Sequence, residues 1–344
     1  MLDFNASVLL IYTGGTIGMI EDHTGTLRSF DFNYLKENAP ELNRLHFNID
    51  STHFDIPIDS SDMNPEKWKL LVKIIEENYD KYDGFVVLHG TDTMAYSASA
   101  LSFMLENLNK PVILTGSQLP IGKIRTDGKE NLITALEIAV DKNEKGEALV
   151  PEVCIFFQNL LMRGNRTIKV NAENFKAFNS FNYPVLAEAG TRIRYQPELV
   201  HHREHTGKPK FHYLLDPNVT IIRIFPGIST EILRATINIP HLKGIVLETY
   251  GAGNAPTEKW FLDIIREGVD KGIIIVNVTQ CASGSVDMSR YESGRCLNDM
   301  GVLSGNDITT EAAVAKLMFL FGHGLSREEV KERMQLSLAG EITV

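Results

Sequence analysis

Short apolar runs alternate with helix-like segments along the whole of this 344-residue chain, and this alternation restricts the fold more than any other feature. The runs are rich in Val and Ile and mostly lack a strict period of two, which is typical of parallel strands buried on both faces. Such alternation predicts an α/β protein with parallel sheets. The apolar runs cover residues 8–12, 85–88, 112–114, 153–157, 219–224, 244–247 and 273–278.

The segments between these runs carry helix signals. Asn64 followed by Pro65 supplies a helix cap and a proline in the first turn, and apolar residues then recur at helical spacing. Ser326 and Glu329 have the spacing of a capping box and predict where the last helix begins. Further helices are predicted over residues 95–108, 129–140, 258–269 and 311–321.

The alternation is interrupted once, and the interruption divides the chain. A chain of 344 residues exceeds the roughly 250–300 residues that one hydrophobic core usually fills, so two domains are expected. The stretch between residues 187 and 214 is polar, basic and rich in histidine. We interpret it as a solvated connection rather than a basic binding patch, because interdomain connections make few contacts. The predicted division is an N-terminal α/β domain over 1–190, a linker over 191–214 and a C-terminal α/β domain over 215–344.

Charge and hydropathy argue against two classes of protein. With 34 Lys and Arg against 44 Asp and Glu, the formal net charge is −10, whereas a nucleic-acid binder normally shows basic patches. No run reaches the roughly 18 consecutive apolar residues of a membrane-spanning helix. The first residues lack the basic stretch and the cleavage site of a secretory signal, so we interpret their apolar run as the first strand. We therefore expect a soluble protein that binds neither nucleic acid nor membrane.

The cysteines and the histidine-rich stretch predict no metal site. Cys154, Cys281 and Cys296 are odd in number and form no CxxC pair, which argues against a disulfide framework and a zinc site and favours a reducing compartment. Free cysteine usually behaves as a small buried hydrophobe, and we expect this of Cys281. The His-rich segment 201–205 lies in the predicted linker, where solvated charge is the preferred interpretation.

Three apolar runs lead directly into turns rich in Gly, Thr and Ser. These are LLIYTGGTIG (9–18), FVVLHGTDTM (85–94) and PVILTGSQLP (111–120). The carboxyl ends of parallel strands converge on the crevice where ligands bind, so the three turns together predict one pocket for a small polar ligand. Helix capping is the alternative role for any single turn. The pocket candidates are Thr13, Thr16, Thr91, Asp92, Thr93 and Ser117.

Several common site motifs are missing from the sequence. The turn at residues 14–18 does not match GxGxxG, and no phosphate-binding GxxxxGK[ST] motif, GxSxG elbow or HExxH motif occurs. A threonine hydroxyl can be a nucleophile once a base takes its proton. Asp92 and Lys169 offer a carboxylate and an amine for this purpose, although a solvated surface charge is the more common role of any one lysine.

The ordered set of turns resembles the asparaginase/glutaminase family. The similarity rests on TGGTIG, HGTDTM and TGSQ, and continues through DSSDM (59–63), RGNRTIK (163–169), YGAGNAP (250–256) and TQC (279–281). The set covers nearly the whole chain and is similar in particular to type I, the bacterial cytoplasmic L-asparaginases. Each motif alone could arise by chance, whereas the complete ordered set is highly specific.

The resemblance implies a fold and an activity. The implied fold is a larger N-terminal parallel-sheet α/β domain followed by a smaller C-terminal α/β domain. The implied activity is hydrolysis of L-asparagine to L-aspartate and ammonia by a threonine nucleophile, without metal or organic cofactor. It also implies a cytoplasmic location and a homotetramer built as a dimer of dimers.

The resemblance also assigns roles to individual residues. Thr16 matches the threonine that attacks the side-chain amide. The second catalytic cluster, which activates a hydroxyl or water, is matched by Thr91, Asp92 and Lys169. The loop that holds the α-amino and α-carboxylate groups is matched by Asp59, Ser60 and Ser61, with Asp92 also contacting the amine.

Two positions depart from the family pattern. Many members carry a tyrosine shortly after TGGTIG, where this chain has Thr26. Either Thr16 is activated in a different way, or another tyrosine substitutes, for which Tyr291 is the candidate; an ordinary loop tyrosine is the alternative role of Tyr291. Thr279 and Cys281 match an allosteric asparagine site of some type I enzymes, but Glu248 stands where an arginine is expected. A carboxylate there would repel the effector's carboxylate, so weak or absent activation by asparagine is expected.

Other functions stay open at this stage. A preference for glutamine differs by one methylene, which is worth only about 1–3 kcal/mol of discrimination. A second alternative is an amidotransferase subunit that feeds ammonia to a partner acting on charged tRNA, since such subunits contain a domain related to the asparaginases. A third alternative is a catalytically inactive amino-acid-binding module. The presence of all four catalytic side chains argues against it: Thr16, Thr91, Asp92 and Lys169. For His89, next to the second turn, a structural role is favoured over that of a base.

Overall fold

The fold is described from a computed structural model, which covers residues 6–21, 27–28, 32–201, 207–290 and 292–343. The chain divides into two units, one of Met1–Ser180 and Pro184–Tyr213 and the other of Phe181–Tyr183 and Leu214–Val344. Each unit contains a sheet with parallel strands and helices, so the predicted two-domain α/β fold is confirmed.

The first unit is built of strands and helices. Its helices are α1 (Phe32–Asn38), α2 (Pro65–Asn78), α3 (Met94–Met104) and α4 (Gly128–Val140). Its strands are β1 (Ser7–Gly14), β2 (Ile20–Glu21), β3 (Leu27–Arg28), β4 (Asn48–Ile58), β5 (Gly84–Leu88), β6 (Leu105–Glu106), β7 (Val112–Thr115), β8 (Val153–Phe157), β9 (Leu160–Arg163), β10 (Ile168–Lys169), β11 (Phe178–Asn179), β12 (Ala187–Ala189), β13 (Ile193–Tyr195) and β14 (Lys210–Phe211).

An eight-stranded sheet forms the centre of this unit, in the order β13-β12-β9-β8-β7-β5-β1-β4. The strands from β8 to β4 are mutually parallel, and β5, β7 and β8 are buried along their whole length. The apolar runs of these strands lack a two-residue period because helices cover both faces of a parallel sheet. Helices α3 and α4 pack on the sheet, and α2 packs on α3, which is buried along nearly its whole length.

One edge of this sheet is antiparallel, which the sequence analysis did not predict. The change of direction occurs at the two residues between β8 and β9, Gln158 and Asn159, with φ angles of 46° and 68°. Two successive positive φ angles are the requirement of a type I′ turn, whose twist matches that of a hairpin. The chain therefore turns back at this point and adds β9, β12 and β13 as antiparallel strands.

The second unit is smaller and contains one parallel sheet. Its helices are α5 (Thr230–Ile237), α6 (Lys259–Asp270), α7 (Glu292–Asp299), α8 (Thr310–Gly322) and α9 (Arg327–Gln335). Its strands are β15 (Val219–Arg223), β16 (Gly244–Thr249), β17 (Ile274–Thr279) and β18 (Leu303–Ser304), paired in this order.

Packing and capping in this unit follow the sequence signals. Leu233, Ile264, Ile265 and Ile275 belong to one apolar core between its sheet and helices. The predicted capping box is present: the Ser326 side chain accepts the N–H of Glu329, whose carboxylate accepts the N–H of Ser326. In the part of the chain that the structure describes, no helix combines the length and the apolar character needed to cross a membrane.

The stretch 191–214 was interpreted above as a linker, but two of its segments form strands that pair with strands of the first unit. Strand β13 pairs with β12 and thereby joins the large sheet, while β14 pairs with β6. Residues up to Tyr213 group with the first unit. The pattern was not recognised because strands of two or three residues at a sheet edge bury too few side chains to give apolar periodicity.

Candidate active site

A cavity of about 220 Å³ opens at the carboxyl ends of four neighbouring parallel strands, β4, β1, β5 and β7. This is the edge where ligands bind in an open parallel sheet. The turn after β4 was not recognised from strand patterns, because β4 is an edge strand that exposes most of its side chains. The cavity is lined by Gly15, Thr16, Met19, Asp59, Ser60, Gly90, Thr91, Asp92, Gln118, Lys169 and Ala172.

Two glycines of the first turn allow the strand ends to meet. Gly14 has φ +135°, and a Cβ atom there would lie 1.9 Å from the carbonyl oxygen of Ile58, at the end of β4. Gly15 has φ +89°, and its Cβ would lie 2.5 Å from the backbone nitrogen of Gly90, in the turn after β5. Any side chain at these positions would therefore separate the turns that carry Thr16, Asp59 and Thr91.

Lys169 contacts two residues of the turn after β5. Its ammonium nitrogen donates to Thr91 Oγ1 at 2.8 Å and to Asp92 Oδ1 at 2.5 Å. The Lys169 side chain is 17% exposed, whereas that of Asp92 is 64% exposed. Thr91 and Asp92 are thus both within hydrogen-bond reach of Lys169, as proton transfer to or from the lysine requires. The lysine reaches them from β10, which lies outside the large sheet.

Thr16 faces the same cavity from the turn after β1. It begins a single helical turn, Thr16–Gly18, and is half-buried. Tyr12 lies beside this turn: its hydroxyl donates to the Gly15 carbonyl at 3.3 Å, and a Cβ at Gly18 would lie 2.5 Å from its ring. Burial raises the pKa of Tyr12 to about 12. Tyr12 therefore supports the turn as a neutral hydroxyl.

Asp59 is held as a carboxylate at the end of β4. Its Oδ1 accepts the backbone N–H and the hydroxyl of Ser61, each at 2.8 Å. These two hydrogen bonds lower the pKa of Asp59, with the backbone N–H contributing most. Next to it, Ser60 lines the cavity, and its carbonyl accepts the Thr93 hydroxyl at 2.6 Å. An ionised carboxylate beside a hydroxyl offers complementary partners for the ammonium and the carboxylate of an amino acid.

Four residues singled out from the sequence lie elsewhere. Within the described residues, Ser61, Thr13, Thr93 and Ser117 are not part of the cavity lining. Their hydroxyls instead bond within the protein: Thr13 to the Leu88 carbonyl at 3.1 Å and Ser117 to the Leu119 carbonyl at 2.5 Å. Sequence position cannot separate these roles, because a hydroxyl in a turn can bond the backbone or face a ligand. Tyr291 and Thr26 lie outside the residues that the structure describes.

Gln118 is a lining residue that the sequence analysis did not identify. Its side-chain oxygen accepts the Thr91 hydroxyl at 3.3 Å, and its side-chain nitrogen donates to the carbonyls of Ala172 and Asn174 at 3.2 Å each. The only available signal was its place directly after Gly116-Ser117 in the third turn. Met19 and Ala172 also line the cavity and carried no signal in the sequence.

His89 has the structural role favoured by the sequence analysis. It is 1% exposed; Nδ1 bonds the Gly90 carbonyl at 2.6 Å, and Nε2 lies 2.9 Å from Ser97 Oγ. The carbonyl can only accept, so Nδ1 carries the proton and Nε2 accepts the Ser97 hydroxyl. Ser97 in turn accepts the indole N–H of Trp68 at 2.9 Å. Burial lowers the pKa of His89 from 6.5 to about 4, so the ring is neutral.

This buried neutral histidine predicts an acid-sensitive fold. Between pH 6.5 and pH 4 the unfolded chain binds a proton at His89 that the folded chain does not, so His89 lowers the free energy of unfolding as the pH is lowered. The contribution of His89 across this window is about 3 kcal/mol, measured as the difference between the parent protein and a variant without this histidine. Urea unfolding of the full chain at pH 7, 5.5 and 4.5 measures it.

The matched variants are His89→Leu and His53→Gln, the latter at an exposed position. His89→Leu is expected to be less stable at pH 7 but to lose less stability on acidification, whereas His53→Gln should follow the parent protein. If His89→Leu and the parent lose the same stability between pH 7 and pH 4.5, His89 is not the buried titrating group.

Thr279 and Cys281 lie at the end of β17, in the second unit. The Thr279 hydroxyl donates to the Gly251 carbonyl at 2.6 Å and accepts the N–H of Cys281 at 3.0 Å. Cys281 is exposed, so the expectation that it is buried is wrong: it follows the strand in a bend instead of lying within it. Glu248 accepts the Thr310 hydroxyl at 2.7 Å and pairs with Arg223 at 3.3 Å.

Among the described residues, no group of three or more His, Cys, Asp and Glu side chains is arranged to hold a metal ion. The polar groups of the cavity are two carboxylates, one amine, two threonine hydroxyls, one serine hydroxyl and one carboxamide. This set matches a small zwitterion and acyl-transfer chemistry at a hydroxyl.

Comparisons with known proteins match both units of the chain to asparaginases. A family model described as "Asparaginase, N-terminal" matches residues 7–201, and one described as "Glutaminase/Asparaginase C-terminal domain" matches residues 218–334. L-asparaginase 1 of Escherichia coli strain K12 is 44% identical over 341 residues, which cover 98% of both chains. The 60 kDa lysophospholipase of Mus musculus is 42% identical over 98% of this chain, which corresponds to 62% of that protein. The crystal structure of L-asparaginase I from Vibrio cholerae has a TM-score of 0.90 at 43% identity and covers 99% of this chain and 100% of that one.

Proposed function

The chain belongs to the asparaginase family, and we propose that it is an amidohydrolase that converts L-asparagine and water to L-aspartate and ammonia. The observation that carries the proposal is the contact of Lys169 with Thr91 and Asp92 in a cavity that Thr16 also lines. The names of the similar proteins from Escherichia coli and Vibrio cholerae support the same reaction.

The substrate is held by its two main-chain charges. Asp59 and Asp92 bind the α-ammonium group, which needs carboxylate partners, and the ionised state of Asp59 suits this role. The Ser60 hydroxyl and the backbone N–H groups of the turn after β5 bind the α-carboxylate. Thr16 and Thr91, which line the cavity, then lie next to the side-chain amide of the substrate. A ligand of this size is compatible with a cavity of about 220 Å³.

In the first half of the reaction, Thr16 Oγ attacks the side-chain amide carbon of asparagine. The carbon–nitrogen bond breaks, and ammonia leaves with the proton that the threonine hydroxyl released. Backbone N–H groups of the glycine-rich turns stabilise the oxyanion, because fixed donors need no rearrangement as the charge develops. The product of this half is an acyl–threonine ester.

In the second half, water attacks the ester carbon and the ester bond to Thr16 breaks. Lys169, in its neutral form, accepts the proton of the Thr91 hydroxyl, and Thr91 accepts a proton from the attacking water. Asp92 stabilises the ammonium form of Lys169, which it contacts at 2.5 Å. L-aspartate is released, and the proton taken from water returns to Thr16 Oγ, so the enzyme is restored. No step uses a metal ion or an organic cofactor.

Ammonia release by the purified protein tests this proposal. We expect turnover of L-asparagine that is unchanged by EDTA, and the same assay with L-glutamine gives the specificity ratio. Release of fatty acid from lysophosphatidylcholine, measured in parallel, should be absent because an acyl chain is too long for a polar cavity of about 220 Å³. A folded protein that releases ammonia from neither amino acid contradicts the proposed function.

Location and oligomeric state follow from the resemblance alone. We propose a cytoplasmic homotetramer arranged as a dimer of dimers. Sedimentation equilibrium of the purified chain measures the oligomeric state directly, and a monomer at micromolar concentration would contradict the tetramer.

A further inference from the structure

Gln118 connects three segments of the cavity wall. Its backbone N–H donates to the Asp127 carboxylate, with both oxygens at 3.0 Å, and this fixes the turn after β7 to the start of α4. Its side-chain oxygen accepts the Thr91 hydroxyl at 3.3 Å. Its side-chain nitrogen donates to the carbonyls of Ala172 and Asn174 at 3.2 Å each. Gln118 is therefore held at its backbone and at both ends of its carboxamide.

The donors and acceptors allow one orientation of this carboxamide. The carbonyls of Ala172 and Asn174 can only accept, so the NH₂ group must face them and the carboxamide oxygen must face Thr91. Thr91 Oγ1 accepts from the Lys169 ammonium at 2.8 Å, and an ammonium can only donate. The hydroxyl proton of Thr91 is consequently directed at Gln118 Oε1 in this state.

The same side chain also fixes the segment that follows Lys169. In that segment the Asn171 side chain accepts the N–H groups of residues 173 and 174 at 2.8 and 2.7 Å, which makes a tight local turn. The carbonyls of this turn that Gln118 bonds are those of Ala172, which lines the cavity, and Asn174. One carboxamide thus sets both the direction of the Thr91 hydroxyl and the place of the backbone next to the lysine.

We propose that Gln118 is a positioning residue for the proton transfer between Thr91 and Lys169. Its carboxamide holds Thr91 Oγ1 in line with Lys169 Nζ while the lysine is protonated. When the lysine is neutral, the hydroxyl proton turns from Gln118 Oε1 to Lys169 Nζ without movement of the oxygen. The inference rests on the proposed amidohydrolase function and adds to it a residue that touches no reacting atom except through Thr91.

A double-mutant cycle with Thr91 tests this role. Gln118→Met keeps the side-chain length and removes all three side-chain hydrogen bonds. We expect kcat for L-asparagine to fall about 10–100-fold, because small misplacements of reacting groups have effects of this size. KM should change less than about threefold, since the proposed contacts to the substrate charges remain. In the Thr91→Val background the same substitution should lower kcat less than about twofold, because no hydroxyl is left to position.

A merely structural role predicts a different outcome, namely equal losses in both backgrounds. Thermal unfolding measures any loss of stability, and Gln335→Met is the matched control, since the side chain of Gln335 bonds the Ser304 carbonyl at 2.8 Å on an exposed surface. This control should keep the parent kcat.

A second variant keeps the test decisive if Gln118→Met does not fold. Gln118→Glu retains an acceptor for the Thr91 hydroxyl and loses the donors to the two carbonyls, so its kcat is expected to fall less than about tenfold. Its loss should also disappear in the Thr91→Val background. Additive losses in the cycle overturn the role of Gln118. An active parent with an equally active Gln118→Met protein contradicts only this inference, whereas an inactive parent contradicts the proposed function.

Discussion

Thr91→Val is expected to lower kcat for L-asparagine by about 10²–10⁴-fold, and Thr16→Ala by at least as much. Valine has nearly the shape of threonine but cannot pass a proton to Lys169, which contacts the Thr91 hydroxyl at 2.8 Å. Alanine at position 16 removes the proposed nucleophile from the cavity. Each loss exceeds any effect expected from packing, because the substituted side chains are partly exposed.

The measurements are steady-state ammonia release and the affinity for L-aspartate by calorimetry. Both variants should still bind L-aspartate, because the proposed contacts at Asp59 and Ser60 remain. Thr236→Val is the matched control, because Thr236 is half-buried like the two threonines of the cavity but lies on α5, and this variant should keep the parent activity. Near-normal turnover by Thr16→Ala or Thr91→Val would mean that the active site lies elsewhere.

The second large effect concerns stability and arises from a buried ion pair in the smaller unit. Lys316 on α8 and Glu341 near the end of the chain are 2.6 Å apart, and neither side chain is exposed to solvent. Lys316 also donates to the carbonyls of Met334 and Leu336, at 3.1 and 2.5 Å. Glu341 accepts the N–H of Ala339 at 2.7 Å. The pair therefore fixes the last residues of the chain to α8.

Removing one partner of this pair should be strongly destabilising. Lys316→Met leaves an uncompensated carboxylate without access to water, and the expected loss in the free energy of unfolding is about 3–5 kcal/mol. Lys316→Met combined with Glu341→Gln should recover part of this loss, since no buried charge remains. Urea unfolding of the full chain gives both values.

The control for this prediction is Lys259→Met, which removes an exposed pair with Asp263 on α6. Exposed ion pairs contribute about 0–1 kcal/mol, so this variant should unfold close to the parent. Equal effects of Lys316→Met and Lys259→Met would show that burial of the first pair has no consequence for stability.

The family resemblance drawn from the ordered turns is confirmed by the comparisons, and with it the two-domain fold. The strands that the sequence predicted most clearly are central ones, such as β5 and β8, because a strand covered on both faces must be apolar throughout. Strand β4 was not recognised, because Phe54 is its one fully buried residue and the strand therefore lacks an apolar run. Helices α1 and α7 are short and bury only one and two residues, so they were missed for the same reason.

The sequence by itself determined the central strands, the capped helices and the glycine-rich turns, because caps, glycines and apolar runs act over a few neighbouring residues. Asn64 caps α2 and Ser326 caps α9 as their spacing predicts. Only the tertiary structure decided which hydroxyls face the cavity: Thr16 and Thr91 do, whereas Ser117 bonds its own turn. Contacts between residues far apart in sequence have no local signal, and the hydrogen bonds of Thr91 to Lys169, 78 residues away, and to Gln118, 27 residues away, are of this kind.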